Sequence, residues 1–180
     1  MARPNPLARP IAQREPSATV IGRRYPRTAV REQSTPPRPP GLRVLIDNSV
    51  WSRLATSPEV ANAFRALVNA ASPTEVLICP PVAAEYGYST RTGADHTTLT
   101  ERLAVFRDCP TAPTTADVLR VQNALWNGGL LRAVGAMDTL IASYGIANHA
   151  TVVHYDRDFE HIAAVIPDFD HHWILPPGTL

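Results

Sequence analysis

Short runs of aliphatic and β-branched residues alternate with longer segments of helical periodicity, and this alternation leaves the chain few possible folds. The runs lie at residues 43–47, 76–79, 151–154 and 173–175. Uninterrupted apolar runs of about four to eight residues are typical of strands buried on both faces. Strands that alternate with helices pair in parallel and are covered by those helices. The sequence therefore predicts a three-layer α/β/α fold around a central parallel sheet, with residues 173–175 as an edge strand.

The segments between these runs carry apolar residues at helical spacing. One start signal is explicit, because Thr114 precedes Asp117 by three residues, the spacing of a capping box. Gly128 and Gly129 are expected to end the same helix. Helices are predicted at residues 49–55, 59–71, 82–88, 97–107, 115–127, 137–148 and 159–165.

A segment rich in proline and arginine precedes the first strand. Residues 1–41 hold nine of the 18 prolines and eight of the 17 basic residues against two acids, so they carry +6 and the remainder carries −5. Such a segment cannot bury enough apolar surface to offset its ordering entropy. We predict a disordered tail at 1–41 and one domain at 42–180. The tail is interpreted as a basic arm for RNA phosphates, as a segment without function, or as the product of a misassigned gene start.

Composition excludes several classes of protein. Cys79 and Cys109 are the only cysteines, which excludes a disulfide scaffold and suits a reducing compartment. No apolar run approaches the roughly 20 residues that span a bilayer, and the start of the chain is too interrupted for a signal peptide. We therefore expect a cytoplasmic protein that does not engage a membrane.

Acidic residues follow the predicted strands or open the predicted helices. Asp47 ends the first strand, Glu85 lies one helical turn past the second, Asp138 opens a helix, and Asp156 and Asp158 follow the third strand. Sites in open parallel sheets form beyond the carboxyl ends of the strands. We expect these acids to form one pocket, although an aspartate at a helix start also serves as an N-cap.

Clustered carboxylates require a cation. Two charges about 4 Å apart repel by about 4 kcal/mol at an effective dielectric constant near 20. Oxygen donors without a set of cysteine and histidine ligands favour Mg²⁺ or Mn²⁺ over zinc. Such an ion lowers the pKa of a bound water and stabilises charge on a phosphate, so phosphodiester hydrolysis is the predicted reaction class.

Four segments together resemble the PIN-domain family, and specifically the VapC-type toxin ribonucleases of type II toxin–antitoxin systems. They are VLIDNSVW at 44–51, PVAAE at 81–85, RAVGAMDTLIA at 132–142 and VVHYDRDFEHIA at 152–163. The resemblance covers residues 43–177. It departs from the family at Asn48, where threonine is frequent, and in the long segment before the first strand.

The resemblance implies a magnesium- or manganese-dependent endoribonuclease, the toxin of a toxin–antitoxin pair, whose products carry 5′-phosphate and 3′-hydroxyl ends. Its partners would be an RNA substrate and a cognate antitoxin, and a homodimer is left open. The implied catalytic quartet is Asp47, Glu85, Asp138 and Asp156. Asp47 and Asp138 would be direct metal ligands, and the further candidate ligands are Glu85, Asp156 and Asp158.

Other polar residues near these acids have two interpretations. Arg132 and Arg157 would hold the scissile phosphate or pair with neighbouring acids. Ser49 matches a small polar residue near the family's pocket and is a third candidate for a phosphate contact. His154 and His161 are expected to pack or to lie at the surface rather than act as general bases. His171 and His172 are expected to be solvated.

Aromatic side chains and competing families also leave alternatives. Trp51, Phe64 and Trp126 would belong to the core or line a groove for a partner.

A haloacid-dehalogenase-like phosphatase would need an aspartate where Ser49 stands. Both this phosphatase and a response-regulator receiver would need a lysine, which the chain lacks. A catalytically silent PIN module that binds RNA or protein is the alternative of a different class.

Overall fold

The computed structural model describes residues 41–70 and 74–180, in which five parallel strands form one sheet. The predicted tail therefore lies outside the described residues, apart from Gly41. The strand order is β3-β2-β1-β4-β5. The strands are β1 (Leu42–Ile46), β2 (Thr74–Ile78), β3 (Arg107–Asp108), β4 (Thr151–His154) and β5 (His171–Trp173).

Seven helices of the described residues join and cover these strands. They are α1 (Asn48–Trp51), α2 (Pro58–Ala70), α3 (Pro80–Tyr88), α4 (Gly93–Leu103), α5 (Thr115–Asn127), α6 (Ala136–Asn148) and α7 (Asp158–Ala163). None of the helices in this part of the chain is long and apolar enough to cross a membrane.

The predicted three-layer α/β/α fold with a parallel sheet is confirmed, and its centre is β1. Val44, Leu45 and Ile46 are each 0% exposed. Because successive side chains of a strand point to opposite faces, three such residues in a row require helices on both sides of the sheet. Phe159 and Ile162, on α7, are also fully buried in this core.

Several details differ from the predicted elements. The helix predicted at 97–107 is α4, which begins at Gly93 because the Thr92 side chain accepts the Asp95 N–H at 3.1 Å and caps it. The two-residue strand β3 was not predicted, and it pairs with Leu77 and Ile78 at the end of β2. The last strand is an edge strand as predicted, but it lies at His171–Trp173 rather than 173–175.

The strand order creates a switch point between β1 and β4. From β1 the chain moves to β2 and β3 on one side, and then returns to pair β4 with the other side of β1, where Ile46 lies opposite Val153. Helices that leave two neighbouring parallel strands in opposite directions open a crevice at their carboxyl ends. Asp47 and Asp156 follow these two strands.

Candidate active site

Asp47 lies at the bottom of this crevice, where β1 becomes α1. Its backbone N–H donates to the Val153 carbonyl at 2.9 Å and extends the β1–β4 ladder by one residue. Its Oδ2 accepts the Ser49 N–H at 2.7 Å and caps α1. The side chain is therefore an N-cap, as the alternative interpretation expected. A carboxylate has about four acceptor positions, so this cap leaves the group free to take part in a site as well.

Burial is the main influence on the Asp47 carboxyl. The residue is 4% exposed, and burial raises its pKa above the ordinary value of 3.8 although hydrogen bonds from Ser49 and Asn48 lower it. The negative charge of Asp156 raises the same pKa further. Asp47 is therefore a desolvated acid that faces a second acid.

Asp138 has the most perturbed carboxyl in the crevice. It lies in the first turn of α6, and its pKa is raised from 3.8 to about 7. Burial is the largest cause, followed by the charges of Asp47, Asp158, Asp156 and Glu85. The pKa of this one carboxyl is thus affected by the charge of every other acid that the sequence predicted for the pocket. The structure brings all five acids to the same edge of the sheet.

The loop after β4 is fastened to β1 and to α6 by hydrogen bonds. The Tyr155 N–H donates to the Ser49 hydroxyl at 2.8 Å. The Asp158 N–H donates to Asp156 Oδ1 at 3.1 Å, and the Gly135 N–H donates to Asp158 Oδ2 at 2.9 Å. Ser49, predicted to lie near the pocket, holds the loop in place. Asp158 holds the start of α6, so these acids keep fixed positions relative to Asp138.

Gly135 is a site residue that the sequence analysis missed. A Cβ at this position would collide with Asp138 Oδ2 and lie 3.8 Å from Asp158 Oδ2. A side chain here would therefore push the Asp138 carboxyl away from the helix start. The available signal was a glycine three residues before Asp138, at the N-cap of a helix that otherwise has no side-chain cap.

Glu85 reaches the crevice from α3. Pro80 and Pro81 begin this helix, and the helix packs against both α1 and α6. Glu85 is half-buried, and its pKa is raised by that burial and then by the charge of Asp47. It is the member of the predicted quartet that comes from the opposite side of β1.

The donor set suits a hard divalent cation. It consists of carboxylate oxygens, and the buried side-chain oxygen of Asn48, beside Asp47, has no hydrogen-bond partner among the described residues. Mg²⁺ and Mn²⁺ prefer oxygen ligands of this kind. As the side chains are placed, no three histidine, cysteine or acidic groups of the described part converge closely enough to hold a metal ion.

The arginines and histidines take distinct positions. Arg132 and Arg157 are exposed and form no ion pair with the described residues.

His154 is fully buried and its pKa is lowered to about 3, chiefly by burial, so it packs as predicted. The prediction that His171 and His172 are both solvated is wrong for His171, whose Nδ1 lies 2.8 Å from His154 Nε2.

The aromatic residues also divide. Trp51 is 7% exposed and packs between Phe64 and Phe106, with ring centroids 6.0 and 5.0 Å away. Trp51 is therefore a core residue. Trp126 is 64% exposed on α5 and does not belong to the core.

Replacing Asp138 with asparagine is expected to raise the melting temperature of the metal-free protein above neutral pH. The folded-state pKa near 7 exceeds the ordinary value of 3.8. Ionisation therefore costs the folded state stability as pH rises through this window, and the full penalty is present above it. The uncharged amide of Asp138→Asn has no such penalty, so the gain should be largest at about pH 8 and vanish towards about pH 4.

Thermal melts in a chelator across this pH range measure the effect. Asp108→Asn is the matched control, because Asp108 is exposed on β3 and no gain is expected there. If Asp138→Asn does not raise the melting temperature above neutral pH, or raises it more as the pH falls, the placement of Asp138 among the other acids is contradicted.

Known proteins resemble the chain in sequence and in fold. The family model described as PIN domain matches residues 44–165. Ribonuclease VapC18 of Mycobacterium tuberculosis (strain ATCC 25618 / H37Rv) is 32% identical over 138 residues, 75% of this chain and 97% of that protein. Ribonuclease VapC51 of the same strain is 34% identical over 140 residues, 77% and 98% of the two chains.

Solved structures share the fold at lower sequence identity. VapBC2 from Rickettsia felis, bound to a DNA fragment from its promoter, aligns with a TM-score of 0.58 at 19% identity, over 73% of this chain and 99% of that one. DNA-bound VapBC from Salmonella typhimurium aligns with a TM-score of 0.55 at 15% identity, over 74% and 99%. Both support the three-layer architecture.

Proposed function

This chain belongs to the PIN-domain family, among the VapC-type ribonucleases, and we propose that it is a divalent-metal-dependent endoribonuclease that acts as the toxin of a VapBC-type toxin–antitoxin pair. The observation that carries the proposal is the Asp138 carboxyl, whose pKa is raised by burial and then by all four of the other acids. Acids from four separate segments thus lie near enough to one another, beyond β1 and β4, for their charges to raise the pKa of Asp138. A cytoplasmic location, where RNA is accessible, is part of the proposal.

Within this proposal, Asp47 and Asp138 bind the metal, and Glu85, Asp156 and Asp158 complete its surroundings directly or through water. Mg²⁺ is the proposed ion, with Mn²⁺ as an equivalent. When bound, the ion lowers the pKa of a water and offsets negative charge on the phosphate. Asp47 is the most buried of the acids, so it fixes the depth of the site, while Asp156 is exposed and faces incoming RNA.

Arg132 and Arg157 are proposed to contact RNA phosphates. Both flank the acidic cluster in sequence, and the ion pairs that would satisfy them are absent among the described residues. A guanidinium presents donors in a fork that matches phosphate oxygens. The acidic part of the chain would otherwise repel the RNA backbone, so nearby arginines reduce that repulsion.

The proposed protein partner is a cognate antitoxin. The related structures are described as VapBC complexes, and this chain has an apolar cavity of about 110 Å³ beside α1. Leu54, Leu99 and Leu103 are among its lining residues, with Arg102 at its edge. An amphipathic antitoxin helix docks by its apolar face into grooves of this kind. The proposed docking groove is this cavity, which is lined by residues of α1, of the turn that follows it and of α4.

The experiment is cleavage of RNA by the purified full chain in a chelator, and after addition of Mg²⁺ or Mn²⁺. We expect no cleavage in the chelator, restoration by either ion, and 5′-phosphate ends on the products. Glu85→Gln should lose activity, whereas Glu101→Gln, an exposed glutamate on α4, should keep it. Full activity in the chelator would refute metal dependence. Metal binding without cleavage of any RNA would indicate a silent PIN module.

A further inference from the structure

His154 ends β4 with both ring nitrogens in use. It is 0% exposed. Its Nδ1 accepts the backbone N–H of Asp156 at 3.1 Å, and its Nε2 lies 2.8 Å from Nδ1 of His171 on the edge strand. A fully buried imidazole thus connects the outermost strand to the backbone of an acid in the crevice.

These contacts determine which nitrogen of His154 carries the proton. A backbone N–H can only donate, so Nδ1 of His154 must be unprotonated to accept it. Nε2 then bears the hydrogen and donates to His171 Nδ1, which leaves the His171 proton on its own Nε2. The assignment follows from the partner atoms, since each bond has one possible direction.

Aromatic neighbours hold the His154 ring in this orientation. The rings of Phe159 and Trp173 have centroids 4.8 Å from the His154 ring. Phe159 is itself fully buried on α7. Rotation of the imidazole would therefore displace core side chains as well as break two hydrogen bonds.

The hydrogen bonds continue from His154 to the start of α6. Asp156 Oδ1 accepts the Asp158 N–H, and Asp158 Oδ2 accepts the Gly135 N–H. Gly135 lies directly against the Asp138 carboxyl. The path runs unbroken from β5 through His154, Asp156 and Asp158 to the helix that carries Asp138.

We propose that His154 is a positioning residue for the nuclease reaction, because its Nδ1 fixes the backbone of Asp156 and through it directs Asp156 and Asp158 towards Asp138. The contact of His154 with His171, by contrast, supports the edge strand. The catalytic consequence rests on the proposed function, whereas the structural link between His154 and Asp156 does not.

Two substitutions of His154 distinguish the hydrogen bond made by Nδ1 from the one made by Nε2. In His154→Asn the amide oxygen takes the place of Nδ1 and can accept the Asp156 N–H, but nothing reaches His171. In His154→Gln the amide nitrogen takes the place of Nε2 and reaches His171, but the Asp156 N–H loses its acceptor. Each variant keeps one hydrogen bond and loses the other. His172→Gln is the control, since His172 is the exposed neighbour of His171.

Two measurements are made on each full-length variant: hydrogen exchange of the Asp156 amide by NMR in the metal-free protein, and kcat and KM for RNA with Mn²⁺. For His154→Gln we expect faster exchange at Asp156 and a kcat lowered by about 10- to 100-fold, the usual cost of losing a residue behind a metal site. His154→Asn should keep the amide protected and restore most of kcat. His172→Gln should match the parent in both measurements.

The results distinguish this inference from the proposed function. Equal exchange at Asp156 in the Asn and Gln variants would overturn the positioning role, whether or not the parent cleaves RNA. Equal kcat in an active parent and in His154→Gln would overturn its catalytic consequence and leave the nuclease assignment intact. A parent that cleaves no RNA would refute the proposed function, while the exchange measurement would still decide the structural link.

Discussion

Replacing Asp47 with asparagine is expected to lower the rate of RNA cleavage by more than about 100-fold. Loss of a residue that only supports a metal ligand already lowers activity by about 10- to 100-fold, and Asp47 is itself a proposed ligand. The substitution keeps the shape of the side chain. It also keeps the cap of α1, since the amide oxygen can accept the Ser49 N–H that Asp47 accepts at 2.7 Å. The fold should therefore survive the change.

Stability should show the opposite trend to activity. Burial raises the pKa of Asp47, which means that the ionised carboxylate costs the folded state free energy at neutral pH. The neutral amide removes that cost, so the melting temperature should stay the same or rise in a chelator. Single-turnover cleavage measures the expected loss of activity, and thermal melts in a chelator measure the expected change in stability.

The control for this experiment is Asp108→Asn, which changes an exposed acid on β3 and should leave cleavage unaffected. Full activity of Asp47→Asn with Mg²⁺ would refute the metal site. A loss of activity accompanied by a large drop in melting temperature would instead assign Asp47 to the fold alone.

The sequence was sufficient to predict the elements whose formation depends on local patterns. The run at 43–47 became β1, with a shift of one residue, and its three consecutive aliphatic side chains are buried in a strand covered on both faces. The capping box of Thr114 and Asp117 is present in both directions. Both signals lie within a few residues of the element that they specify.

Elements that depend on distant partners were not predictable in this way. β3 is Arg107 and Asp108, two exposed charged residues without any apolar pattern. It exists because the end of β2 offers partners, as in the Cys109 N–H that donates to the Ile78 carbonyl at 2.9 Å. Only the folded sheet brings these groups together.

The site residues show the same difference between features set by local sequence and features set by distant contacts. Its acids could be proposed from the sequence because each lies near the end of a strand or the start of a helix, and the fold class brings those positions to one edge. The roles of Gly135 and His154 could not, since they depend on a collision with Asp138 and on a hydrogen bond to Asp156. Sequence patterns indicate which residues have suitable chemistry, whereas tertiary contacts decide which residues support them.

Expression of the full chain without its antitoxin is expected to arrest the growth of a bacterial host. A metal-dependent endoribonuclease active in the cytoplasm destroys RNA that the cell needs, and Mg²⁺ is always present there. Asp138→Asn should abolish the arrest, because the proposed metal loses a ligand while the protein becomes more stable and accumulates. Colony counts and growth curves after induction, with immunoblots for protein level, measure this.

Glu101→Gln is the matched control and should remain as toxic as the parent, because this exposed glutamate on α4 lies outside the acidic cluster. The product of a neighbouring antitoxin gene should restore growth and co-purify with the chain. Substituting Leu103, which lines the groove beside α1, with aspartate should weaken that co-purification, since a charge facing an apolar helix is left unpaired. Toxicity of the Leu103 variant should then persist when the antitoxin is present. Harmless accumulation of folded parent protein at the same level as Asp138→Asn would refute the toxin assignment.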